Sequence, residues 1–226
     1  MNITWIGHSC FLVHDGTHTL LIDPWIRDNP AGARLPDNAR PDLILLTHGH
    51  FDHLGESVEL SKQFEVPILC MPELAAYCRS QEARAEIINY GGSYRLGNFT
   101  IKCVLAFHSS SAGPNRIYAG PPCGYVITSS DQTVYFAGDT CVFGDMKLIG
   151  ELFKLDVAML PIGGRTTMDP AEALMAVKWL RPRYVIPMHF NTWEFIRQDP
   201  QAFKEAVERE TEAKVLLPAP GENITI

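Results

Sequence analysis

The segment DLILLTHGHFDH, residues 42–53, joins a short apolar run to a group of potential metal ligands. Residues 42–47 are almost entirely apolar, which is typical of a strand buried on both faces of a sheet. The four ligands that follow within six residues are His48, His50, Asp52 and His53. Imidazole nitrogen and carboxylate oxygen are the ligand atoms of zinc, manganese and iron sites. The sequence therefore predicts a metal site at the end of this strand.

The spacing of these four residues predicts two neighbouring sets of ligands. Side chains two residues apart on an extended segment point the same way, so His48 and His50 can reach one ion. Asp52 and His53 lie where the chain is expected to turn into a helix, and they can serve a second ion. The whole chain has eight histidines, and three of them are in this segment. An ordinary polar turn is therefore a poor explanation of the pattern.

Three other polar residues each follow an apolar strand and are candidates for the remaining ligands: His108 after IKCVLAF, Asp139 after VYFAG, and His189 after YVIPM. In open α/β sheets, ligands bind at the carboxyl ends of strands. Taken singly, a histidine is more often an ordinary hydrogen-bonded side chain, and an Asp in a GDT sequence often closes a turn. Beside the cluster, the three together favour one site assembled from several strands.

The rest of the pattern predicts a single α/β domain over residues 1–226, with helices outside and sheets inside. Strands are predicted at ITWI, CFLVH, TLLID, 42–47, PILCM, 86–90, 99–105, 123–129, 133–137, DVAMLPI, YVIPM and KVLLP. Helices are predicted at 54–65, 72–80, 145–154, 169–180 and 199–210. The fourth helix has the signature of a capping box in Asp169 and Glu172. Residues 24–41 and 109–124 are rich in Pro and Gly and predict long loops.

Composition narrows the classes of function. The 226 residues carry 19 Lys and Arg against 26 Asp and Glu, a net charge of −7, which is unlike a nucleic-acid-binding domain. No apolar run approaches the ~18 residues of a membrane span, and the start has no signal-peptide pattern. The six cysteines include no CxxC pair and are expected to be free thiols. We therefore expect a cytoplasmic protein that does not bind membranes, and the acidic charge counts against a nucleic-acid partner.

The motif HGHFDH, with His108, Asp139 in GDT and His189, resembles the metallo-β-lactamase fold superfamily. The resemblance covers essentially the whole chain and implies a four-layer αβ/βα sandwich with a metal site at one edge. The segments WIGHSCFLV, PIGG with TMDPAEA and IPMHFNT are further similar to a branch of small metal-dependent hydrolases. That branch is related to the ascorbate-6-phosphate lactonases.

The resemblance implies two divalent metal ions, Zn, Mn or Ni, with a bridging hydroxide as nucleophile. One ion would be held by His48, His50 and His108. The second would be held by Asp52, His53 and His189, and Asp139 would bridge the two. Asp52 would also orient the hydroxide. The Cys ligand of the most familiar β-lactamases is replaced here by Asp139, and Cys141 is expected to lie only nearby.

Two residues near this set have two interpretations each. Asp23, in LLIDP, either orients a ligand histidine, as in the superfamily, or simply closes a turn before Pro24. His8, in GHSC, is a candidate catalytic residue that donates a proton to the leaving group or contacts substrate. Alternatively, His8 is a strand-end histidine with a local hydrogen bond.

The loops that follow the ligands contain candidate substrate contacts. Arg116, Tyr118 and Arg165 are suited to a phosphate or carboxylate, although ordinary solvated side chains explain each of them equally well. Trp25 and Trp193 are predicted to line the mouth of the site.

The predicted function is a metal-dependent hydrolase of a small ester, lactone or phosphoester. The alternatives are a nucleic-acid phosphodiesterase, against which the acidic charge counts, a mononuclear iron oxidoreductase of the same fold, and a non-catalytic metal-binding protein. The expected partner is a small-molecule substrate, and a homo-oligomer is left open.

Overall fold

Two seven-stranded sheets form the centre of the molecule in a computed structural model that describes residues 1–226. The first sheet has the order β16 (Asn223–Thr225), β1 (Asn2–Gly7), β2 (Cys10–His14), β3 (Thr19–Ile22), β4 (Leu43–Leu45), β5 (Ile68–Cys70) and β6 (Ala85–Ile87). The second has the order β15 (Lys214–Val215), β14 (Tyr184–Met188), β13 (Val157–Pro161), β12 (Gln132–Phe136), β11 (Cys123–Ser129), β8 (Phe99–Leu105) and β7 (Ser93–Leu96).

Six helices cover the outer faces of the two sheets. Beside the first sheet are α1 (Phe51–Leu54), α2 (Ser57–Phe64) and α3 (Pro72–Ser80), and beside the second are α4 (Met146–Leu152), α5 (Pro170–Leu180) and α6 (Pro200–Glu210). One apolar core lies between the sheets, and one lies between each sheet and its helices. Three cores separate four layers, as expected for the predicted sandwich. None of the helices is long and apolar enough to cross a membrane.

The β4 segment shows why its sequence is apolar throughout. Leu43 and Leu45 pack into the core between the sheets, whereas Ile44 packs into the core beneath the helices. Successive side chains of a strand point to opposite faces, so a strand with a layer on each side needs apolar residues at every position. The expectation of a doubly buried strand is confirmed.

Strand direction places the candidate ligands at one edge. In the first sheet, β1, β3 and β4 run parallel to one another. In the second, β8, β12 and β14 do the same. The chain leaves these strands towards the site residues His8, Asp23, His48, His108, Asp139 and His189. Residues that are far apart in sequence therefore meet at a single sheet edge.

Some of the sequence-based predictions were wrong in detail. The helix predicted over residues 54–65 is divided at Gly55, where φ is +42° and any side chain would collide with the backbone of Pro24. The loop 109–124 contains a small hairpin, β9 (Ser111–Ala112) and β10 (Ile117–Tyr118). The strands β7 and β16 were not predicted, because their sequences are too polar and short to show a strand pattern.

The capping box of α5 gives a direct test of local stability. Asp169 accepts a hydrogen bond from the backbone N–H of Glu172, and the Glu172 side chain accepts one from the backbone N–H of Asp169. We expect Asp169→Ala to lower the free energy of unfolding by about 1 kcal/mol, measured by urea denaturation. Asp145 occupies the same position in α4 without a side-chain cap, so Asp145→Ala is the matched control. An equal loss in both variants would contradict the assignment.

Candidate metal centre

All seven predicted ligands lie together at the edge where the strands end. Nitrogen and oxygen atoms within 4.8 Å of one another form three overlapping groups: His48, His50 and His108; His8, Asp52, His53 and His189; and His48, His53 and Asp139. The first two groups match the two ligand sets that the resemblance implies, with His8 added to the second. The third group joins them through Asp139.

In the first group, His48 Nε2 and His50 Nδ1 face each other at 3.0 Å. The opposite nitrogen of His48, Nδ1, is 3.0 Å from the Thr47 hydroxyl, which fixes the plane of that ring. The Ser109 hydroxyl is 3.4 Å from His50 Nε2. The His108 ring lies 5.1 Å from each of the other two imidazoles, so three ring nitrogens converge.

Asp139 occupies the centre of the whole arrangement. Its Oδ1 is 3.2 Å from His53 Nε2, and its Oδ2 is 3.0 Å from His189 Nε2. The same Oδ2 is 3.6 Å from His108 Nε2, which belongs to the first group. One carboxylate therefore contacts imidazoles of both groups. Asp52 Oδ2 lies on the side of the second group, 3.6 Å from His189 Nε2.

The donor set fits divalent metal ions. His53 Nε2 and Asp139 Oδ1 are buried and lie 3.2 Å apart, but neither atom has a hydrogen bond of good geometry to any protein group. A buried polar atom without a partner costs about 1–3 kcal/mol, so such atoms usually have a further ligand. Both atoms face the centre of the cluster, where a cation would complete their coordination. Five imidazoles and two carboxylates are donors that Zn, Mn and Ni accept.

The two carboxylates are ionised at neutral pH. Burial by itself would raise the pKa of Asp52 and Asp139, but the surrounding imidazoles outweigh burial and hold each pKa well below its usual value. Burial would lower the pKa of His53, yet the charges of Asp139 and Asp23 raise it well above 6.5. A proton on His53 and a cation would compete for the same ring nitrogen, so acid pH opposes metal binding.

Asp23 is buried directly behind the ligands and makes three hydrogen bonds. Its Oδ1 accepts from the Thr47 backbone N–H at 2.9 Å. Its Oδ2 accepts from the Thr47 hydroxyl and from His53 Nδ1, both at 2.7 Å. A carboxylate at Nδ1 leaves the Nε2 of His53 directed at the centre. Asp23 thus has the orienting position that the resemblance implies, and not merely a turn position.

His8 lies beneath Asp52, away from the cleft. It is 1% exposed, with Nε2 3.2 Å from Asp52 Oδ2 and Nδ1 2.8 Å from the Thr192 hydroxyl. The rings of Trp25 and Trp193 cover it, each with its centroid 5.2 Å from the His8 ring. Burial is the main reason that the pKa of His8 falls to about 4. Its proton-donor role stays a prediction, and Thr192 is a contact that the sequence did not indicate.

A cleft of about 1130 Å³ opens above the ligands. Trp25, Trp193 and Arg116 line it as predicted, whereas Tyr118 and Arg165 are not among its lining residues. Phe51 and Phe195 also line it and were missed. The signal for Phe51 was present, because it stands between two ligands in HGHFDH. Cys141 is exposed and outside the cluster, as expected.

Comparison with known proteins identifies the family. The Beta-lactamase superfamily domain matches residues 2–189. The chain belongs to this superfamily. A UPF0173 metal-dependent hydrolase of Desulforamulus reducens is 45% identical over 230 residues, covering 100% of both chains. Another, of Methanosarcina mazei, is 44% identical over 228 residues, covering 100% of this chain and 99% of the relative.

A solved structure extends the similarity to three dimensions. Igni18, a metallo hydrolase from the hyperthermophilic archaeon Ignicoccus hospitalis, aligns with a TM-score of 0.90 at 37% identity, covering 99% of this chain and 97% of Igni18. The predicted superfamily, its fold and the enzyme class are confirmed: this β-lactamase-superfamily protein is a metal-dependent hydrolase. Its predicted relation to ascorbate-6-phosphate lactonases stays a prediction.

The role of Asp23 can be tested in this hydrolase by Asp23→Asn. The amide keeps the shape but removes the charge that orients His53 and Thr47, so we expect metal affinity to fall about 10–100-fold. Competition titration with a chelating dye measures this. Asp156→Asn is the matched control, because Asp156 accepts a strand N–H from Thr133 at 2.9 Å at the opposite edge of the sheet. Unchanged affinity in Asp23→Asn would contradict the orienting role.

Proposed function

We propose that the protein is a dinuclear hydrolase of a small ester, lactone or phosphoester. The observation that supports two ions is the position of Asp139, whose carboxylate contacts His108 on one side and His53 and His189 on the other. A carboxylate whose Oδ2 contacts both sets of imidazoles, and whose Oδ1 contacts the second set, is suited to be shared by two cations. A site for one ion would need only one of the two sets of imidazoles.

The residues divide between the ions as the geometry groups them. His48, His50 and His108 would hold one ion, and Asp52, His53 and His189 the other, with Asp139 shared. Bound divalent cations lower the pKa of water towards ~7 and polarise the oxygen of the bond under attack. Zn, Mn and Ni all suit these donors, and their availability would decide among them.

Asp52 is the residue that we propose acts on the attacking water. Its carboxylate lines the cleft and is ionised, so it can accept a hydrogen bond from a water molecule there. The hydrogen bond to His8 and the contact with His189 limit its rotation. A base held in one orientation loses little entropy when it directs water towards a bound ester.

Arg116 offers the cleft a positive charge for an anionic substrate. Its guanidinium can donate two parallel hydrogen bonds to a phosphate or carboxylate. Asp52 and Asp139 are two negative charges beneath the cleft that cations would neutralise. A phosphoester would therefore enter only a metal-loaded site.

Metal content is the first test of the proposal. Protein purified without chelator is expected to contain about two equivalents of Zn, Mn or Ni per chain by elemental analysis. Asp139→Ala is expected to lose metal and to lower turnover of phosphoesters and lactones more than any other ligand variant, because it would serve both ions. Asp145→Ala, an exposed acidic residue outside the site, is the control.

Three results would contradict the dinuclear assignment. Full metal content and full rate in Asp139→Ala would exclude a bridging role. One equivalent of iron would favour the mononuclear oxidoreductase. No metal, with none taken up on addition, would contradict the ligand assignment itself.

Kinetics distinguishes a positioning role of His8 from its predicted role as a proton donor. Because His8 is buried and both ring nitrogens have partners, its contacts favour a positioning role through Asp52. We expect His8→Ala to keep its metal and to lower kcat about 10–100-fold, by the same factor for esters with good and with poor leaving groups. A proton donor would instead matter chiefly for poor leaving groups.

Thr192→Val provides the matched variant for this test. It removes the hydroxyl from the other ring nitrogen of His8 and leaves the imidazole in place. Positioning predicts a smaller loss of the same leaving-group-independent kind. A loss in His8→Ala that is confined to poor leaving groups would establish the proton-donor role instead, and unchanged kcat would exclude both roles.

A further inference from the structure

Four aromatic side chains form a continuous surface along one side of the cleft, here called the aromatic wall: Trp25, Phe51, Trp193 and Phe195. Trp193 is at its middle, with ring centroids 5.3 Å from Trp25, 5.9 Å from Phe51 and 5.5 Å from Phe195. Trp25 and Phe51 are also in contact, at 5.7 Å. These are the distances of packed aromatic pairs.

Two of the four rings in the wall are exposed although they are apolar. Phe51 is 68% exposed and Phe195 is 48% exposed. Contiguous exposed apolar surface of this kind usually marks a binding site for a ligand or a partner molecule. Phe51 packs against the buried Trp25, yet neither Phe51 nor Phe195 is part of the three apolar cores. Most of Phe51 and about half of Phe195 are therefore free to contact a bound group.

The wall begins at the metal ligands themselves. Phe51 stands between His50 and Asp52 in the chain, and Trp193 follows His189 by four residues. A substrate whose reacting bond lies above the ligands would thus have its neighbouring group against these rings. A substrate group in contact with these rings would therefore lie beside the reacting bond and not at the far end of the substrate.

The wall is also held in place before any substrate arrives. The rings of Trp193 and Phe195 are stacked with an interplanar angle of 6°, and the guanidinium of Arg165 lies 5.5 Å from the centroid of Phe195. The turn that carries them is closed by a hydrogen bond from the backbone N–H of Asn191 to the carbonyl of Ile196. A surface that is already ordered loses little entropy on binding.

The cleft also has polar lining residues. Ser109, Ser111 and Arg116 can each donate a hydrogen bond from the side chain, and none of them belongs to the aromatic wall. The cleft therefore combines aromatic rings with hydrogen-bond donors. Small-molecule sites commonly combine apolar walls with a few polar groups that fix orientation.

We propose that the aromatic wall binds an aryl or similarly flat apolar group next to the bond that is hydrolysed. This inference deepens the proposed function by naming a substrate class: an aryl-bearing ester, lactone or phosphoester rather than a wholly polar sugar phosphate. Stacked or edge-to-face contact with the two exposed rings, Phe51 and Phe195, would supply the preference, and Trp193 packs against both of them. Arg165, which the cleft does not include, would act by holding Phe195.

Binding of two phosphonates of equal charge tests the inference without turnover. We expect metal-loaded protein to bind phenylphosphonate at least about tenfold more tightly than methylphosphonate, measured by isothermal titration calorimetry. Phe51→Ala and Phe195→Ala should each reduce this preference, and the double variant should abolish it. Affinity for methylphosphonate should stay unchanged in all of them. Leu152→Ala, which removes an exposed apolar side chain on α4, is the control.

Several results would overturn the inference. Equal affinities, no binding of phenylphosphonate at millimolar concentration, or a preference that survives in the double variant would each do so. Dissociation of an oligomer by the double variant, seen by size-exclusion chromatography, would show that a second copy covers the wall. If the preference is present but no ester is hydrolysed, the proposed function fails and this inference stands. If an ester is hydrolysed but the preference is absent, the proposed function stands and this inference fails.

Discussion

The site depends on one buried carboxylate, that of Asp23. Asp23 accepts hydrogen bonds from the backbone N–H and the hydroxyl of Thr47, and it accepts a third from His53 Nδ1. Thr47 in turn contacts His48 Nδ1. Asp23 therefore orients a candidate ligand of each group, His53 directly and His48 through Thr47. Asp23 has φ of +44°, a backbone conformation that is costly for a residue with a side chain. The three hydrogen bonds offset that cost.

The four-layer architecture is the second constraint on the site, because the seven candidate ligands come from both sheets. His48 comes from the first sheet, whereas His108, Asp139 and His189 come from the second. The sheets are held face to face by a core that contains residues of both. Electrostatics also links the members of the cluster to one another. Each buried carboxylate is surrounded by imidazoles, and each imidazole that is raised in pKa has a carboxylate beside it.

The cleft above the candidate ligands is lined by residues that follow or connect the strands of the sheets. Residues at such positions are freer to vary than those of the sheets beneath, because they do not hold the core together. If the aromatic wall binds substrate as proposed, its rings would decide which substrates are accepted. Cytoplasmic location, the oligomeric state and the metal identity stay predictions.

The sequence by itself determined the superfamily, the buried strand β4 and the capping box of α5, because each is a local pattern of spacing or polarity. It also predicted the candidate ligands that the structure brings together: HGHFDH contains four of them in one short segment, and apolar strands precede the other three. The sequence could not show that His8 contacts Asp52 and Thr192, or that Trp25 and Phe51 pack against Trp193. Those contacts join residues that are up to 184 positions apart. Only the packing of two sheets brings such residues together, since no local pattern records which loops share an edge.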